Sequence, residues 1–311
     1  MKTYILNAAG GSEELKMVQV AIPTPMAQEL LISIKALSIN PVDIKTRTGK
    51  GIYGRLKDFS PLVLGWDISG VVEAVGEGVT DFTVGDEVFG MVNFPAHGQA
   101  YAEYVVAPAA HLAKKPSNIS HQEAAAACLA ALTAYQILQR HVKHGDKLLV
   151  HAAAGGVGHF VVQIAKILGA YVIGTASAKN IDFVKSLGAD EVIDYTQTDF
   201  TNAVQNLDFV FDTMAGETLE KSIQVVKKGG KIISIPSGIP QNIVDLGKAT
   251  EVSIAFELVQ SNGVNMQQIA DWLATGQLKA VVSHNFAFGE MIQAHQQMET
   301  GRTKGKIVVS I

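Results

Sequence analysis

A chain of 311 residues with a single cysteine, Cys128, forms no internal disulfide and offers no cysteine-based zinc site, which fits a reducing compartment. A net charge of −4 leaves no marked excess of either sign, so composition argues for neither nucleic acid nor an anionic membrane as a partner. Long apolar runs are missing as well, and the run at 124–132 is too short to span a bilayer. The opening Met1-Lys2-Thr3-Tyr4-Ile5-Leu6-Asn7 reads as a strand without the apolar core of a signal peptide, so a cytoplasmic location is expected. No repeat, low-complexity tract or charge run calls for interpretation. What is present is length enough for two domains, each with its own core.

The most informative stretch is Leu148-Leu149-Val150-His151-Ala152-Ala153-Ala154-Gly155-Gly156-Val157-Gly158. An apolar strand breaks into glycines, and apolar residues resume at helical spacing from 160 to 168. Glycine at 155 lets the backbone approach a pyrophosphate, and Gly158 lets the helix pack on its strand. Free amides near Gly156 and Val157, beside Ala154, would then face the phosphates. Ala153 stands where the usual first glycine would be. Glycine clusters also end strands with no ligand present, so the context matters. That context is a second strand at 171–175 after Gly169, completing a βαβ unit.

A further absence bears on the cofactor. A site for NAD places Asp or Glu about twenty residues beyond the glycines, where it accepts the ribose hydroxyls and repels a 2′-phosphate. Here the second strand ends Gly174-Thr175-Ala176-Ser177-Ala178-Lys179-Asn180, with no acid until Asp182. A hydroxyl at Ser177 and a cation at Lys179, with Tyr195 after a third strand, suit the extra phosphate of NADPH. Ser177 and Asn180 also suit a helix cap, and Lys179 a solvated charge.

Before Pro116, strand-like runs at 30–36, 69–75, 87–92 and 102–107 are punctuated by glycine and proline, which predicts a β-rich domain, a small barrel. A helical segment at 121–138 leads into alternating strands and helices, the pattern of a doubly wound parallel sheet with a sixth strand at 252–258. Hairpin-like strands at 280–288 and 306–310 fall outside this alternation and are expected to return to the first domain.

Several phrases in order, Ser38-Ile39-Asn40-Pro41-Val42-Asp43, Gly65-Trp66-Asp67-Ile68-Ser69-Gly70, Val84-Gly85-Asp86-Glu87-Val88, Leu132-Thr133-Ala134-Tyr135, the glycine turn, Phe211-Asp212-Thr213-Met214-Ala215-Gly216 and Gly305-Lys306-Ile307-Val308-Val309, span the chain. In these it resembles the medium-chain dehydrogenases and reductases, in the zinc-free quinone oxidoreductase branch that includes zeta-crystallin. The resemblance implies an α/β fold: a Rossmann doubly wound parallel sheet (residues 118–261, binding NADP(H)) plus a GroES-like β-barrel domain (residues 1–117 and 262–311), with an active-site cleft between them. It also implies a homodimer.

Zinc-dependent relatives carry a cysteine where Asn40 stands and Gly-His-Glu where Gly65-Trp66-Asp67 stands, so no metal is expected. Hydride delivery without a metal suits electron-poor acceptors, quinones and α,β-unsaturated carbonyls. The resemblance assigns Asn40 and Tyr53 to catalysis. To cofactor contact it assigns Thr133, Thr213, Ile235, Ser237 and Lys306. The residues alone also allow Asn40 as a turn residue before proline, Tyr53 as a loop aromatic, Asp67 as a buried cap of backbone amides, Thr133 as helix packing and Lys306 as a solvated charge. The reading is an NADPH-dependent reductase of quinones or enones; the alternative is an NADPH-binding sensor or structural protein with little turnover.

Overall fold

The computed structural model describes residues 1–236 and 238–311. The chain divides into one compact unit of Met1–Leu132 with Val259–Ile311 and a second of Thr133–Leu258.

In the first unit, β1 (Lys2–Leu6) pairs antiparallel with β2 (Leu15–Gln19). The central strand is β3 (Glu29–Ile39), whose apolar residues Leu30, Ile32, Ile34 and Leu37 are all buried. It pairs antiparallel with β4 (Asp67–Val75), which continues to β5 (Glu87–Met91). Two register shifts along β3 against β4 bend the strand, a bulge effect. Its first half also pairs with β6 (Tyr104–Pro108), while β7 (Leu112–Lys114) extends the sheet beyond β5.

The sequence predicts one helix over 121–138, but the chain forms two, His121–Ala126 and Leu129–His141. The first opens on Ser120, whose hydroxyl accepts from Glu123 N–H while Glu123 answers at Ser120 N–H, a full capping box. Its alanines pack with Ala36 and Val308, inside the first unit. The break between the helices frees Leu129 N–H to donate to Asp67.

The second unit is a six-stranded sheet of β8 (Lys147–Val150), β9 (Tyr171–Ala176), β10 (Glu191–Asp194), β11 (Leu207–Asp212), β12 (Val226–Ser234) and β13 (Ser253–Phe256). Its order is β10-β9-β8-β11-β12-β13, all parallel, the doubly wound arrangement. One core cluster includes Leu149, Ile173, Val210, Ile232, Leu219 and Ile243. Each such side chain contributes about 1.5–3 kcal/mol on burial.

The last two strands correct an expectation. β14 (Val282–Ala287) and β15 (Lys306–Ser310) join the first unit's sheet, but they run parallel to each other, with helix Met291–Glu299 between them. A hairpin requires antiparallel neighbours and a tight turn; parallel strands need a crossover of this length. Among the described residues no helix is long and apolar enough to cross a membrane.

Candidate active site

In the second unit, β8 ends at Val150 and helix Gly158–Ile167 begins eight residues later. Between them Ala152 adopts φ +49°, held by its N–H on Thr175 Oγ1 (3.2 Å) and by its carbonyl, which accepts from Gly155 N–H (2.8 Å). A Cβ on Gly158 would lie 2.2 Å from the Ala152 carbonyl oxygen, so only glycine lets the helix start here. A Cβ on Gly174 would lie 2.8 Å from that of Ala153. The alanine in place of the usual first glycine is therefore matched by a bare position on β9. The amides of Gly156 and Val157 have no acceptor among the described residues. They sit at the positive end of a ten-residue helix, so an anionic pyrophosphate fits this cradle. Ala154 is buried within the same turn.

Strand register carries the site sideways. Asp194 on β10 aligns with Ala176 on β9, so Tyr195 and Ser177 emerge from neighbouring strand ends. Tyr195 is 60% exposed. Ser177 accepts from Asn180 Nδ2 at 3.3 Å, and neither side chain caps a helix. Lys179 is exposed, with no ion pair among the described residues. Asp194, the acid in register with this edge, is turned back onto its own loop, accepting from Thr196 N–H and Oγ1 at 3.0 and 2.7 Å. An oxygen-rich anion at Ser177 and Lys179 thus meets donors and a cation, with that carboxylate occupied elsewhere.

At the switch point, where strand order reverses between β8 and β11, Thr213 Oγ1 donates to the His151 carbonyl at 2.9 Å. His151 is buried; its Nε2 lies 2.9 Å from Ser222 Oγ and its Nδ1 3.4 Å from Thr175 Oγ1. Burial pushes this imidazole down to about 4, so it is neutral near pH 7. Asp212 closes β11 by accepting from the amides of Met214 and Ala215 and from Ser234 Oγ. Ile235 continues β12 with its N–H on the Asp212 carbonyl at 3.1 Å. Thr133 is buried in helix Leu129–His141, and Ser237 lies outside the described residues.

The first unit holds a buried charged network. Asn40 precedes Pro41 and is therefore extended, and Pro41 opens helix Pro41–Arg47. Asp43 accepts the Asn40 N–H at 2.6 Å, which leaves the Asn40 amide free for other partners. Its Nδ2 donates to Asp67 Oδ2 at 2.8 Å and its Oδ1 accepts from Lys306 Nζ. Lys306 also donates to the Ile39 carbonyl at 3.2 Å and lies 3.9 Å from Asp67 Oδ2. Asn40 is 1% exposed and Lys306 2%. The expected phosphate contact thus has its ammonium inside the unit, where burial lowers its pKa against the pull of Asp67 and Asp43. Burial drives Asp43 up to about 8 and Asp67 up to about 6. Asp67 accepts from Leu129 N–H at 2.9 Å, as a buried cap of backbone amides would, and also from Asn40 Nδ2.

Sequence reasoning missed the extension of this network. The Tyr101 hydroxyl bonds His295 Nε2 at 2.9 Å, and Arg47 pairs with Glu299. Arg47 Nε and Nη1, Thr46 Oγ1 and His295 Nδ1 have no partner among the described residues, the usual setting for ordered water. The one local signal was Asn-Pro-x-Asp, a helix-start signature; the other members lie far apart in the chain. Tyr53 opens helix Tyr53–Leu56 and lines a recess of 290 Å³ within the first unit. Among the described residues no group of three or more His, Cys, Asp or Glu is placed to hold a metal ion.

Two family models match the chain: an alcohol dehydrogenase GroES-like domain over residues 26–117 and a zinc-binding dehydrogenase over residues 187–309. The 2-methylene-furan-3-one reductase of Solanum lycopersicum is 35% identical over 99% of this chain and 79% of its own length. The chain belongs to the medium-chain dehydrogenases and reductases. Within that family it groups with quinone oxidoreductases and alkenal reductases. The chloroplastic NADPH-dependent alkenal/one oxidoreductase of Arabidopsis thaliana is 34% identical over the same shares. The quinone oxidoreductase structure from Coxiella burnetii superposes with a TM-score of 0.94 at 36% identity, covering 100% of this chain and 99% of that one. The family's GroES-like and Rossmann folds correspond to the two sheets described above.

Proposed function

We infer that the protein transfers a hydride from NADPH to a quinone or an α,β-unsaturated carbonyl, without a metal ion. The observation that carries this reading is the end of β9: Ser177 and Lys179 beside Tyr195, with the neighbouring Asp194 turned away, next to a glycine turn with two free amides. The second unit, Thr133–Leu258, acts as the NADP(H)-binding domain, and the first, Met1–Leu132 with Val259–Ile311, as the GroES-like substrate domain; the sequence-based boundaries of 118 and 261 fall 15 and 3 residues from these. Relatives named as NADPH-dependent alkenal/one oxidoreductase and quinone oxidoreductase support the assignment.

When bound, NADPH supplies the hydride from its nicotinamide ring. Gly156 and Val157 would hold the pyrophosphate, Ala154, Gly155 and Gly174 would keep the backbone close to it, and Ser177, Lys179 and Tyr195 would take the 2′-phosphate. Thr133, Thr213 and Ile235 would position the nicotinamide half. Tyr53 donates a hydrogen bond to the substrate oxygen as it becomes negative, and solvent supplies the proton that completes the reduction. Asn40, buried and locked by Asp67 and Lys306, would act by holding the start of helix Pro41–Arg47 in place within the first unit. The donor set supports chemistry without zinc, since the position of the family's ligand cysteine is occupied by this amide.

The test is NADPH oxidation in the presence of quinones and enals. Stimulated oxidation by at least one class supports the reading, and tight NADPH binding with an inert panel favours a cofactor sensor instead. The family resemblance adds a homodimer to the proposal, which sedimentation checks, and a single cysteine, Cys128, fits a cytoplasmic location.

A further inference from the structure

The recess beside Tyr53 carries more than that tyrosine. Lys57, one helical turn on, lines it together with Phe59, Ser60, Leu62 and Ala8. The Tyr53 hydroxyl, Lys57 ammonium and Ser60 hydroxyl have no hydrogen-bond or ion-pair partner among the described residues. Phe59 is half exposed and packs on His97 at 4.4 Å between ring centres, forming an aromatic wall.

Charge is also concentrated here. Between Thr48 and Ser60 the chain carries Lys50, Arg55 and Lys57 against the single acid Asp58, in a protein whose net charge is −4. All four are exposed, and no salt bridge neutralises them among the described residues. Cations of this kind raise the local concentration of anions and orient them on approach. The recess lies at the lower edge of the size range of small-molecule sites.

We propose that this recess is a substrate subsite for a carboxylate, so that the enzyme prefers enones or quinones bearing an acidic arm over neutral ones. Lys57 pairs with the carboxylate, Ser60 donates to it, and Lys50 and Arg55 supply the surrounding field. Phe59 and Leu62 cover the apolar stem of the arm. The proposal rests on the oxidoreductase reading and on Tyr53 as the substrate contact, because the recess begins at that residue.

The experiment uses trans-3-benzoylacrylate and its neutral ethyl ester. The intrinsic difference in their reactivity cancels when the acid-to-ester ratio of kcat/KM is compared between wild type and variant. Lys57→Gln lowers this ratio by about two- to five-fold, as expected of one exposed charge pair. Lys57→Arg restores it, and the triple change Lys50→Gln, Arg55→Gln, Lys57→Gln lowers it by about ten-fold. KM for NADPH stays constant throughout. An unchanged ratio in the triple variant overturns the subsite. A KM for NADPH that rises with the KM for the acid also overturns it, assigning the cations to the cofactor. Calorimetry with the same two probes separates this inference from the oxidoreductase reading. Acid bound more tightly than ester in a Lys57-dependent way upholds the subsite even if neither probe is reduced, whereas binding indifferent to charge refutes it.

Discussion

The two units bury polar groups in opposite ways. The first gathers charges, Asp43, Asp67, Arg47 and Lys306, from β4, β15 and the helix after β3, with partners as much as 267 residues apart. The second buries the imidazole of His151 with the hydroxyls of Thr175, Ser222 and Ser234, and its buried acid, Asp212, is satisfied by two amides and a hydroxyl. The first arrangement stands only while every charge keeps its partner; the second shapes the turns at its strand ends and tolerates single losses better.

The largest effect should come from breaking the charged network. Lys306→Met leaves Asp67 and Asn40 without their cation and costs about 3–5 kcal/mol. Both tryptophans, Trp66 and Trp272, belong to the first unit, so denaturation followed by their fluorescence reads that unit alone. A cost under about 1 kcal/mol would erase the contrast between the units.

Acid should separate them next. His151 has its pKa lowered to about 4, so between pH 6.5 and 4 the unfolded chain holds a proton that the folded one refuses. Stability of the second unit therefore falls as pH falls through that window, by roughly 1.4 kcal/mol per pH unit. In the first unit His295, lowered to about 3 by burial, acts in the same direction. Asp43 and Asp67 act oppositely: raised to about 8 and 6, they bind protons in the folded state first, and their contribution is lost as pH rises through those values. Hydrogen exchange on acidification from pH 7 to 4.5 should thus show β8 to β11 opening before β3 and β4. The reverse order contradicts the contrast.

A smaller, reciprocal effect tests the cradle. Gly174→Ala forces two methyl groups together at Ala153 and costs about 1–3 kcal/mol, and adding Ala153→Gly recovers most of it. Thermal melts of the single and double variants decide whether the two positions are coupled. Finally, Lys179→Ala should weaken NADPH binding about ten- to a hundred-fold while sparing NADH. Equal losses would remove Lys179 from the phosphate site.

The same contrast explains what could be read beforehand. The cradle was legible because its parts are consecutive: a strand, a glycine turn and a helix within twenty residues, with the missing acid visible one strand later. The positive φ of Ala152 was not, since alanine gives no hint of it and the conformation depends on Thr175 across the sheet. In the first unit Asn40 was legible only as a turn residue before proline, and the capped helix start that Asn-Pro-x-Asp forms went unread. Nothing local announced that Lys306 would bridge to Asn40, or that Tyr101 and His295 would meet, because antiparallel pairing of β3 with β15 and the packing of a late helix create those contacts. The parallel pairing of β14 and β15 escaped notice for the same reason: two short apolar runs look alike whichever way they run.

Recognition of the extra phosphate at the end of β9 decides which coenzyme the protein uses. Calorimetric titration of the wild-type protein with NADPH and with NADH tests this directly. Binding of NADPH at least about ten-fold tighter is predicted, and equal affinity, or a preference for NADH, would contradict it.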